Sequence, residues 1–172
     1  VIASDKVLEL CDPKEYRVIM GIGYNNMNQI KEHEFLRYKK MGYVFVNYVH
    51  PTAIVGNDVN MGEANNIFEG VIIQEGVEIG NANLIYGGVL VAHDNKIGNY
   101  NSLSVKSCIA GCSVIGNNCF IGANATIRDH IRLNDYTLVG AGAYLDKSTN
   151  EYEVVVPSKS TMINDRKSLE FI

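Results

Sequence analysis

The sequence has no uninterrupted apolar stretch near the roughly 20 residues that a membrane-spanning helix needs, and no signal peptide is visible in it. It also lacks a basic stripe, since its 15 Lys and Arg are outnumbered by 19 Asp and Glu and the net charge is −4. That balance argues against nucleic acid as the main partner. These absences favour a cytoplasmic protein without membrane insertion.

The spacing of the cysteines excludes two common uses of this residue. The four residues are Cys11, Cys108, Cys112 and Cys119. Their separations match neither a CxxC zinc motif nor the framework of a disulfide-rich domain. We therefore expect small buried thiols in a reducing compartment.

What the sequence has in abundance is a six-residue repeat. Every sixth residue from Val55 to Leu145 is Val, Ile, Leu or Met, and the frame never slips. This spacing fits neither the 3.6-residue period of an α-helix nor the two-residue period of a plain strand. The sixteen positions are Val55, Met61, Ile67, Ile73, Ile79, Ile85, Val91, Ile97, Leu103, Ile109, Ile115, Ile121, Ile127, Leu133, Val139 and Leu145.

The repeat predicts a mainly β fold, a parallel β-helix of hexapeptide repeats. Each hexad forms one short strand and one corner, three hexads close a triangular coil, and the aliphatic residues stack inside it. The residue after the aliphatic is glycine seven times, which suits a corner where the backbone must bend without a Cβ clash. Fifteen hexads between Val55 and Tyr144 predict about five coils.

The flanking sequence divides the chain into three parts. Residues 1–49 are predicted to form part of a small α/β domain, residues 50–159 the β-helix, and residues 160–172 a C-terminal tail. Because the first residue is Val1 rather than Met, we expect the opening strands of the first domain to precede it.

The predicted elements of the first part are two strands around a helix. YRVIMGIG predicts a buried strand, and NMNQIKEHEFLRYKKMG predicts an amphipathic helix with Ile30, Phe35 and Leu36 on its apolar side and Gly42 at its end. YVFVNYV predicts the second strand. After the repeat, EYEVVVPSKS predicts a last strand that leads into the tail.

Several motifs together resemble one group of enzymes. HPTAIVG, the unbroken hexads, AHDNKIG, IAGCSVIGNNCFIGANATI, LVGAGAYL and VVPSK are similar to the sugar acyltransferases of the left-handed β-helix superfamily, in its sialic acid O-acetyltransferase and bacillosamine-pathway N-acetyltransferase branch. The resemblance covers residues 17–159. It implies a homotrimer without a metal, which transfers acetyl from acetyl-CoA to the amino or hydroxyl group of a nucleotide-activated sugar in bacterial surface glycan synthesis. It also implies that the first domain binds the nucleotide sugar.

The resemblance assigns the reaction to one histidine and its neighbours. It implies that His93 is the general base, that Asp94 makes the imidazole more basic, and that the Gly111 N–H holds the thioester oxygen. An imidazole can accept the proton that an attacking amine or hydroxyl loses, and an adjacent carboxylate favours the imidazolium. Gly111 follows His93 by three hexads, so the repeat itself predicts that the two lie at one corner of successive coils, roughly 4.8 Å apart along the axis.

Further contacts are implied for the two substrates. Ser102, Ala123 and Ala141, together with Gly111, would contact CoA, and Ala123 and Ala141 are again three hexads apart. Gly23 and Tyr86 would contact the acceptor, although many relatives have asparagine where this chain has Tyr86. No acyl-enzyme is predicted, because no Cys or Ser stands beside His93 in sequence or one coil away as an evident nucleophile.

Two other functions remain open. A γ-type carbonic anhydrase uses the same fold, but it needs three histidines around one zinc ion, and the chain has no histidine between His93 and His130. A non-catalytic assembly module would keep the β-helix for trimerisation alone. The adjacent His93 and Asp94 argue against that module.

Overall fold

The computed structural model describes residues 6–160 together with residues 162, 167 and 169. The helices within these residues are α1 (Val7–Leu10) and α2 (Gln29–Lys40). The strands have two residues each and are β1 (Arg17–Val18), β2 (Val44–Phe45), β3 (Tyr48–Val49), β4 (Ile54–Val55), β5 (Asn60–Met61), β6 (Asn66–Ile67), β7 (Ile72–Ile73), β8 (Glu78–Ile79), β9 (Leu84–Ile85), β10 (Leu90–Val91), β11 (Lys96–Ile97), β12 (Ser102–Leu103), β13 (Cys108–Ile109), β14 (Val114–Ile115), β15 (Phe120–Ile121), β16 (Thr126–Ile127), β17 (Arg132–Leu133), β18 (Leu138–Val139), β19 (Tyr144–Leu145) and β20 (Val154–Val155).

Strands β3 to β20 form the β-helix that the repeat predicts. They make parallel sheets of seven, six and five strands. Neighbouring strands of a sheet are separated by three hexads of sequence, as where Leu90 pairs with both Ile72 and Cys108. These eighteen strands at three per coil give about six coils, one more than predicted, because β3 already pairs with β6 ahead of the first predicted hexad. The predicted fold class is confirmed.

The aliphatic residues of the repeat form the interior. From Ile67 to Leu145 every one of them is at most 6% exposed, whereas Val55 and Met61 in the first hexads are partly buried. Each such side chain contributes roughly 1.5–3 kcal/mol when it leaves water. Three columns of side chains, one on each sheet, therefore supply most of the apolar core of the prism.

The glycines of the repeat have a different role from the predicted one. The corner residue with positive φ stands three places after the aliphatic and is often not glycine, as at Asp94 with φ 57° and Cys112 with φ 59°. The glycine directly after the aliphatic is needed because the next coil passes too close. A Cβ on Gly98 would lie 2.5 Å from the carbonyl oxygen of Gly116. The predicted bend at these glycines is wrong, whereas the predicted Cβ clash is confirmed and comes from the close stacking of coils.

The chain before the repeat packs against one side of the prism. Strand β1 pairs in parallel with β2 as a separate two-stranded sheet, while β3 joins the β-helix, so YVFVNYV is divided between two sheets instead of forming one strand. Helix α2 ends before Gly42, whose φ is +91°, as predicted. No helix among the described residues combines the length and the apolar character needed to cross a bilayer.

The buried side of α2 is not the predicted one. Phe35 is buried against Phe45 and Tyr100, but Ile30 and Leu36 are about half exposed. The helix instead buries Lys31, which is fully enclosed. A lysine in the contact surface breaks the apolar pattern, and this is why the pattern pointed to the wrong residues.

Lys31 belongs to a polar cluster between α2 and the prism. Its Nζ donates to the carbonyl oxygen of Asn101 at 3.0 Å and to the Ser102 hydroxyl at 3.3 Å. The buried Asn28 joins the cluster, since the Ser102 hydroxyl donates to its Oδ1 at 2.6 Å. Burial lowers the pKa of Lys31 from 10.5 to about 7. The cluster fixes α2 on the prism through hydrogen bonds rather than through an ion pair.

At the other end, the last predicted strand is present as β20. It pairs with β18, with Val154 opposite Leu138, and so closes the stack of one sheet. The predicted tail, residues 160–172, falls largely outside the residues that the structure describes.

Candidate active site

The three sheets give the prism three faces of different character. The covered face (β3, β6, β9, β12, β15, β18, β20) packs under α2, and both residues of β6, β9 and β12 are buried there. The charged face (β5, β8, β11, β14, β17) carries an ion pair between Lys96 and Glu78 at 3.0 Å. The apolar face (β4, β7, β10, β13, β16, β19) presents an outward row without a charged side chain: Ile54, Ile72, Leu90, Cys108, Thr126 and Tyr144.

One edge of the apolar face holds the predicted base. The His93 edge consists of the corner residues 75–76, 93–94, 111–112 and 129–130, which follow the strands of that face. Backbone hydrogen bonds connect its coils, since the Cys112 N–H donates to the His93 carbonyl at 3.0 Å and the His130 N–H to the Gly111 carbonyl at 3.1 Å. The repeat therefore holds side chains of successive coils at fixed spacing along this edge.

His93 and Asp94 are in direct contact. Nδ1 of His93 lies 2.8 Å from Oδ2 of Asp94, and both side chains are more than half exposed, at 60% and 65%. Because a carboxylate only accepts, this contact favours the tautomer of the neutral imidazole in which Nδ1 carries the hydrogen and Nε2 has the lone pair. The His93 N–H also donates to Oε1 of Gln74 at 3.0 Å, which anchors the corner. The geometry thus presents an exposed ring nitrogen that can accept a proton.

Gly111 lies directly beneath the imidazole, as the three-hexad spacing predicts. A Cβ at this position would be 2.8 Å from both Cε1 and Nε2 of His93. Any side chain here would therefore displace the ring. The structure brings together His93, Asp94 and Gly111, the three residues to which the resemblance assigns the reaction.

A cavity of about 340 Å³ opens beside the imidazole on the apolar face. It is lined by Ile54, Gly56, Ile72, Ile73, Gln74, Glu75 and His93. His93 is thus both at the edge of the prism and at the wall of a concave, largely apolar space, the kind of surface that small-molecule sites use.

Sequence reasoning missed Cys112 at this edge. Its Sγ, a ring nitrogen of His93 and a carboxylate oxygen of Asp94 all lie within 4.8 Å of one another. The prediction that no cysteine stands one coil away is therefore wrong, because Cys112 follows Asp94 by three hexads. Applying the three-hexad step to Asp94 as well as to His93 finds it.

A second histidine and carboxylate lie two coils after the first pair on the same edge, in the opposite order. Nδ1 of His130 lies 2.8 Å from Oδ2 of Asp129, and this hydrogen bond lowers the pKa of the Asp129 carboxyl. His130 is the residue with positive φ, as Asp94 is in the first pair. The two pairs share their chemistry, but only His93 has a glycine beneath its ring.

The residues predicted to contact CoA do not all meet His93 within one chain. Ala123 and Ala141 lie on successive coils, since the Gly142 N–H donates to the Ala123 carbonyl at 2.8 Å. They belong to the Ala123 edge, the corner residues 69–70, 87–88, 105–106, 123–124 and 141–142 that precede the strands of the apolar face. The two edges thus border the apolar face on opposite sides.

The two residues predicted to contact the acceptor share a second cavity. This space of about 290 Å³ lies next to the Ala123 edge, and Gly23 and Tyr86 both line it. The Tyr86 ring stacks on Phe68 with 5.3 Å between centroids and 6° between planes. Tyr48 and Asn66 are among the other lining residues, and none of the lining residues that the structure describes carries a charged side chain.

Ser102 does not fit its predicted role. Its side chain is fully buried beneath Asn28 and Lys31 of the segment that contains α2. A side chain enclosed in this way offers no surface to CoA, so its burial argues against the predicted contact. The sequence could not reveal this, because the covering residues are far away in the chain.

Comparison with known families supports the repeat. Residues 112–147 match the family described as bacterial transferase hexapeptide (six repeats). A comparison with curated protein sequences found no match.

Solved structures are similar over most of the chain. The acetyltransferase domain of PglB from Neisseria gonorrhoeae FA1090 has a TM-score of 0.85 at 20% identity, over 91% of this chain and 76% of that chain. PerB from Caulobacter crescentus, solved with CoA and GDP-perosamine, has a TM-score of 0.85 at 25% identity, over 90% of this chain and 73% of that chain. WeeI from Acinetobacter baumannii AYE has a TM-score of 0.72 at 21% identity, over 76% of this chain and 64% of that chain. The resemblance to β-helix sugar acetyltransferases is confirmed, and with it the predicted class of enzyme, an acyltransferase.

Proposed function

We propose that the protein transfers an acetyl group from acetyl-CoA to the amino or hydroxyl group of a nucleotide-activated sugar in bacterial surface glycan synthesis. The observation that carries the proposal is the His93 imidazole, which lies over Gly111 with Asp94 bound to Nδ1. The chain is 25% identical to PerB, which was solved with CoA and GDP-perosamine bound, and this similarity supports both co-substrates. Such co-substrates also favour action in the cytoplasm.

The proposed reaction is a direct transfer. The acceptor nitrogen or oxygen attacks the thioester carbon, the new C–N or C–O bond forms, and the C–S bond breaks. Nε2 of His93 takes the proton from the acceptor and passes it to the CoA sulfur as this leaves. Asp94 holds the hydrogen of Nδ1 and stabilises the imidazolium between these steps.

Gly111 supplies the proposed donor for the thioester oxygen. Within the described part of the chain no group accepts a hydrogen bond from the Gly111 N–H, which leaves this donor for the oxyanion. A backbone donor fixed by the coil stack needs no reorganisation when charge develops on that oxygen. The absent Cβ gives the thioester close access to the backbone.

The distribution of the predicted residues supports the proposed homotrimer. His93 and Gly111 stand on one edge of the apolar face, while Ala123, Ala141 and the Tyr86 cavity stand at the other. We propose that the apolar face packs against another copy, so that the His93 edge of one chain meets the Ala123 edge of the next. CoA would then contact Gly111 of one copy and Ala123 and Ala141 of its neighbour. A sedimentation mass of three chains is the expected result.

The cavity that Gly23 and Tyr86 share is the proposed acceptor site. Its stacked aromatic rings and uncharged walls suit a flat base or the apolar surface of a sugar better than a free phosphate. The carbonic anhydrase alternative requires three histidines around a metal. The candidate ligand group that the described residues form contains one histidine, His93.

The decisive experiment compares two histidines. The protein is assayed for acetyl-CoA-dependent release of CoA against a panel of nucleotide amino sugars. His93→Ala should lower kcat by roughly 10²- to 10⁴-fold while CoA still binds. His130→Ala, which removes the matched histidine two coils along the same edge, should keep activity. Undiminished turnover by the His93 variant, or failure of the protein to bind CoA at all, would contradict the proposal, and the second result would favour a non-catalytic assembly module.

A further inference from the structure

Cys112 gives the site a set of donor atoms that the proposed acetyl transfer does not use. A thiol sulfur, an imidazole nitrogen and a carboxylate oxygen lie within 4.8 Å of one another at the His93 edge. His93 and Asp94 are exposed and Cys112 is partly exposed, so an ion can reach all three without any opening of the fold. We infer that His93, Asp94 and Cys112 form a binding site for one Zn²⁺ ion, and that the bound ion blocks the base.

The donor set selects the type of metal. Thiolate and imidazole are ligands that Zn²⁺ and Co²⁺ take readily, whereas Mg²⁺ and Ca²⁺ prefer an all-oxygen shell. Three protein ligands leave a fourth position for water. Divalent ions of the hard class therefore do not compete at this site.

The distances are close to those of a tetrahedral site. Zn–S near 2.3 Å with Zn–N and Zn–O near 2.0–2.2 Å separates ligand atoms by about 3.3–3.6 Å. The three atoms here are at most 4.8 Å apart, so side-chain rotations that move these atoms by about 1 Å complete the geometry. The backbone need not move.

The coil stack prearranges two of the three ligands. Asp94 and Cys112 stand at the same corner position of successive coils, with φ of 57° and 59°, so their side chains leave the backbone in the same direction. The Cys112 N–H donates to the His93 carbonyl at 3.0 Å, which fixes the spacing of the coils. Gly111 adds no side chain that would separate the ring from the thiol.

Blocking of the base follows from shared atoms and rests on the proposed function. A ring nitrogen that coordinates Zn²⁺ has no lone pair for the acceptor proton. The ion also engages the Asp94 carboxylate that would stabilise the imidazolium. Zn²⁺ therefore acts as a reversible inhibitor and not as a cofactor of the transfer.

The site is tested with Co²⁺, because thiolate-bound Co²⁺ has a charge-transfer band in the near ultraviolet. Chelator-treated protein should bind one Co²⁺ per chain with this band, and Zn²⁺ should abolish the band by displacement. Cys112→Ser should lose the band. Cys108→Ser, which removes a partly exposed thiol outside the group, should keep it. No band in the native chain, or a band that survives Cys112→Ser, would overturn the assignment.

Inhibition is measured separately from binding. Zn²⁺ should stop acetyl transfer and a chelator should restore it, and the Zn²⁺ concentration for half inhibition should rise roughly tenfold or more in Cys112→Ser. Equal sensitivity of the two proteins would overturn the claim that this ion blocks the base. If the chain transfers no acetyl group, the proposed function fails, but the Co²⁺ spectrum still decides whether the metal site exists.

Discussion

Gly111→Ala tests the central contact of the site, because it adds one methyl group beneath the imidazole. The new Cβ would lie 2.8 Å from Cε1 and Nε2 of His93 and 3.3 Å from Cδ2. Carbon atoms in contact lie roughly 3.5–4.0 Å apart, so the ring must retreat by about 1 Å. A displacement of about 1 Å can lower a rate by roughly 10²-fold.

The same change should hardly affect folding. Gly111 is not among the glycines with positive φ, so alanine fits its backbone. The ring that must move is 60% exposed and can turn into solvent. We therefore expect the free energy of unfolding to change by about 0.5 kcal/mol or less, while kcat falls by roughly 10²-fold.

The assay is a double-mutant cycle on kcat with Gly111→Ala, His93→Ala and the double variant. If the methyl acts by displacing the ring, it has little left to remove once His93 is gone, so the double variant should match His93→Ala. Wild-type kcat in Gly111→Ala would refute the contact. A full further 10²-fold loss in the double variant would refute displacement of His93 as the cause.

Two other substitutions test the parts around the site. Burial lowers the pKa of Lys31 from 10.5 to about 7 in the folded chain, so between these pH values the folded state binds fewer protons than the unfolded state. The free energy of unfolding therefore rises from pH 7 towards pH 10.5, by at most about 1.4 kcal/mol per pH unit. Lys31→Met should remove this rise with pH, as measured by denaturant unfolding at pH 7 to 10. Asn101 and Ser102 keep other hydrogen-bond partners in this variant, since they also bond Leu84 and Asn28. Lys40→Met, which changes an exposed lysine, is the control, and an unchanged dependence of stability on pH in Lys31→Met would contradict burial of this amine as the cause of the rise. Tyr86→Ala should raise KM for the nucleotide sugar roughly tenfold, the effect of losing one stacked ring, with KM for acetyl-CoA unchanged. Tyr86→Phe keeps the ring and should have the wild-type KM. If Tyr86→Phe raised KM for the nucleotide sugar as much as Tyr86→Ala, stacking would not be what Tyr86 provides.

The features that could be read from the sequence are those that repeat. A six-residue period specifies which side chains point inward, and the same period places Gly111 one coil after His93 without any further information. The features that could not be read depend on contacts between distant parts of the chain. Ser102 is buried because Lys31 reaches it from α2, and a lysine in a contact surface contradicts the pattern by which amphipathic helices are recognised. The roles of the repeat glycines depend on the distance between coils, which a linear pattern does not contain.

The division of the site between two edges constrains how this chain can work. His93, Asp94 and Gly111 are assembled within one copy because they lie on consecutive coils of one edge. The proposed CoA contacts Ala123 and Ala141 lie across the width of the apolar face, as does the proposed acceptor cavity. A rigid prism cannot bend to bring its own edges together. In the proposed homotrimer, a neighbouring copy packed on that face would supply the missing edge and would cover the exposed Ile54, Ile72 and Tyr144 at the same time. The proposed function thus gives the apolar row and the position of His93 one common reason, since the proposed base would stand where two prisms meet.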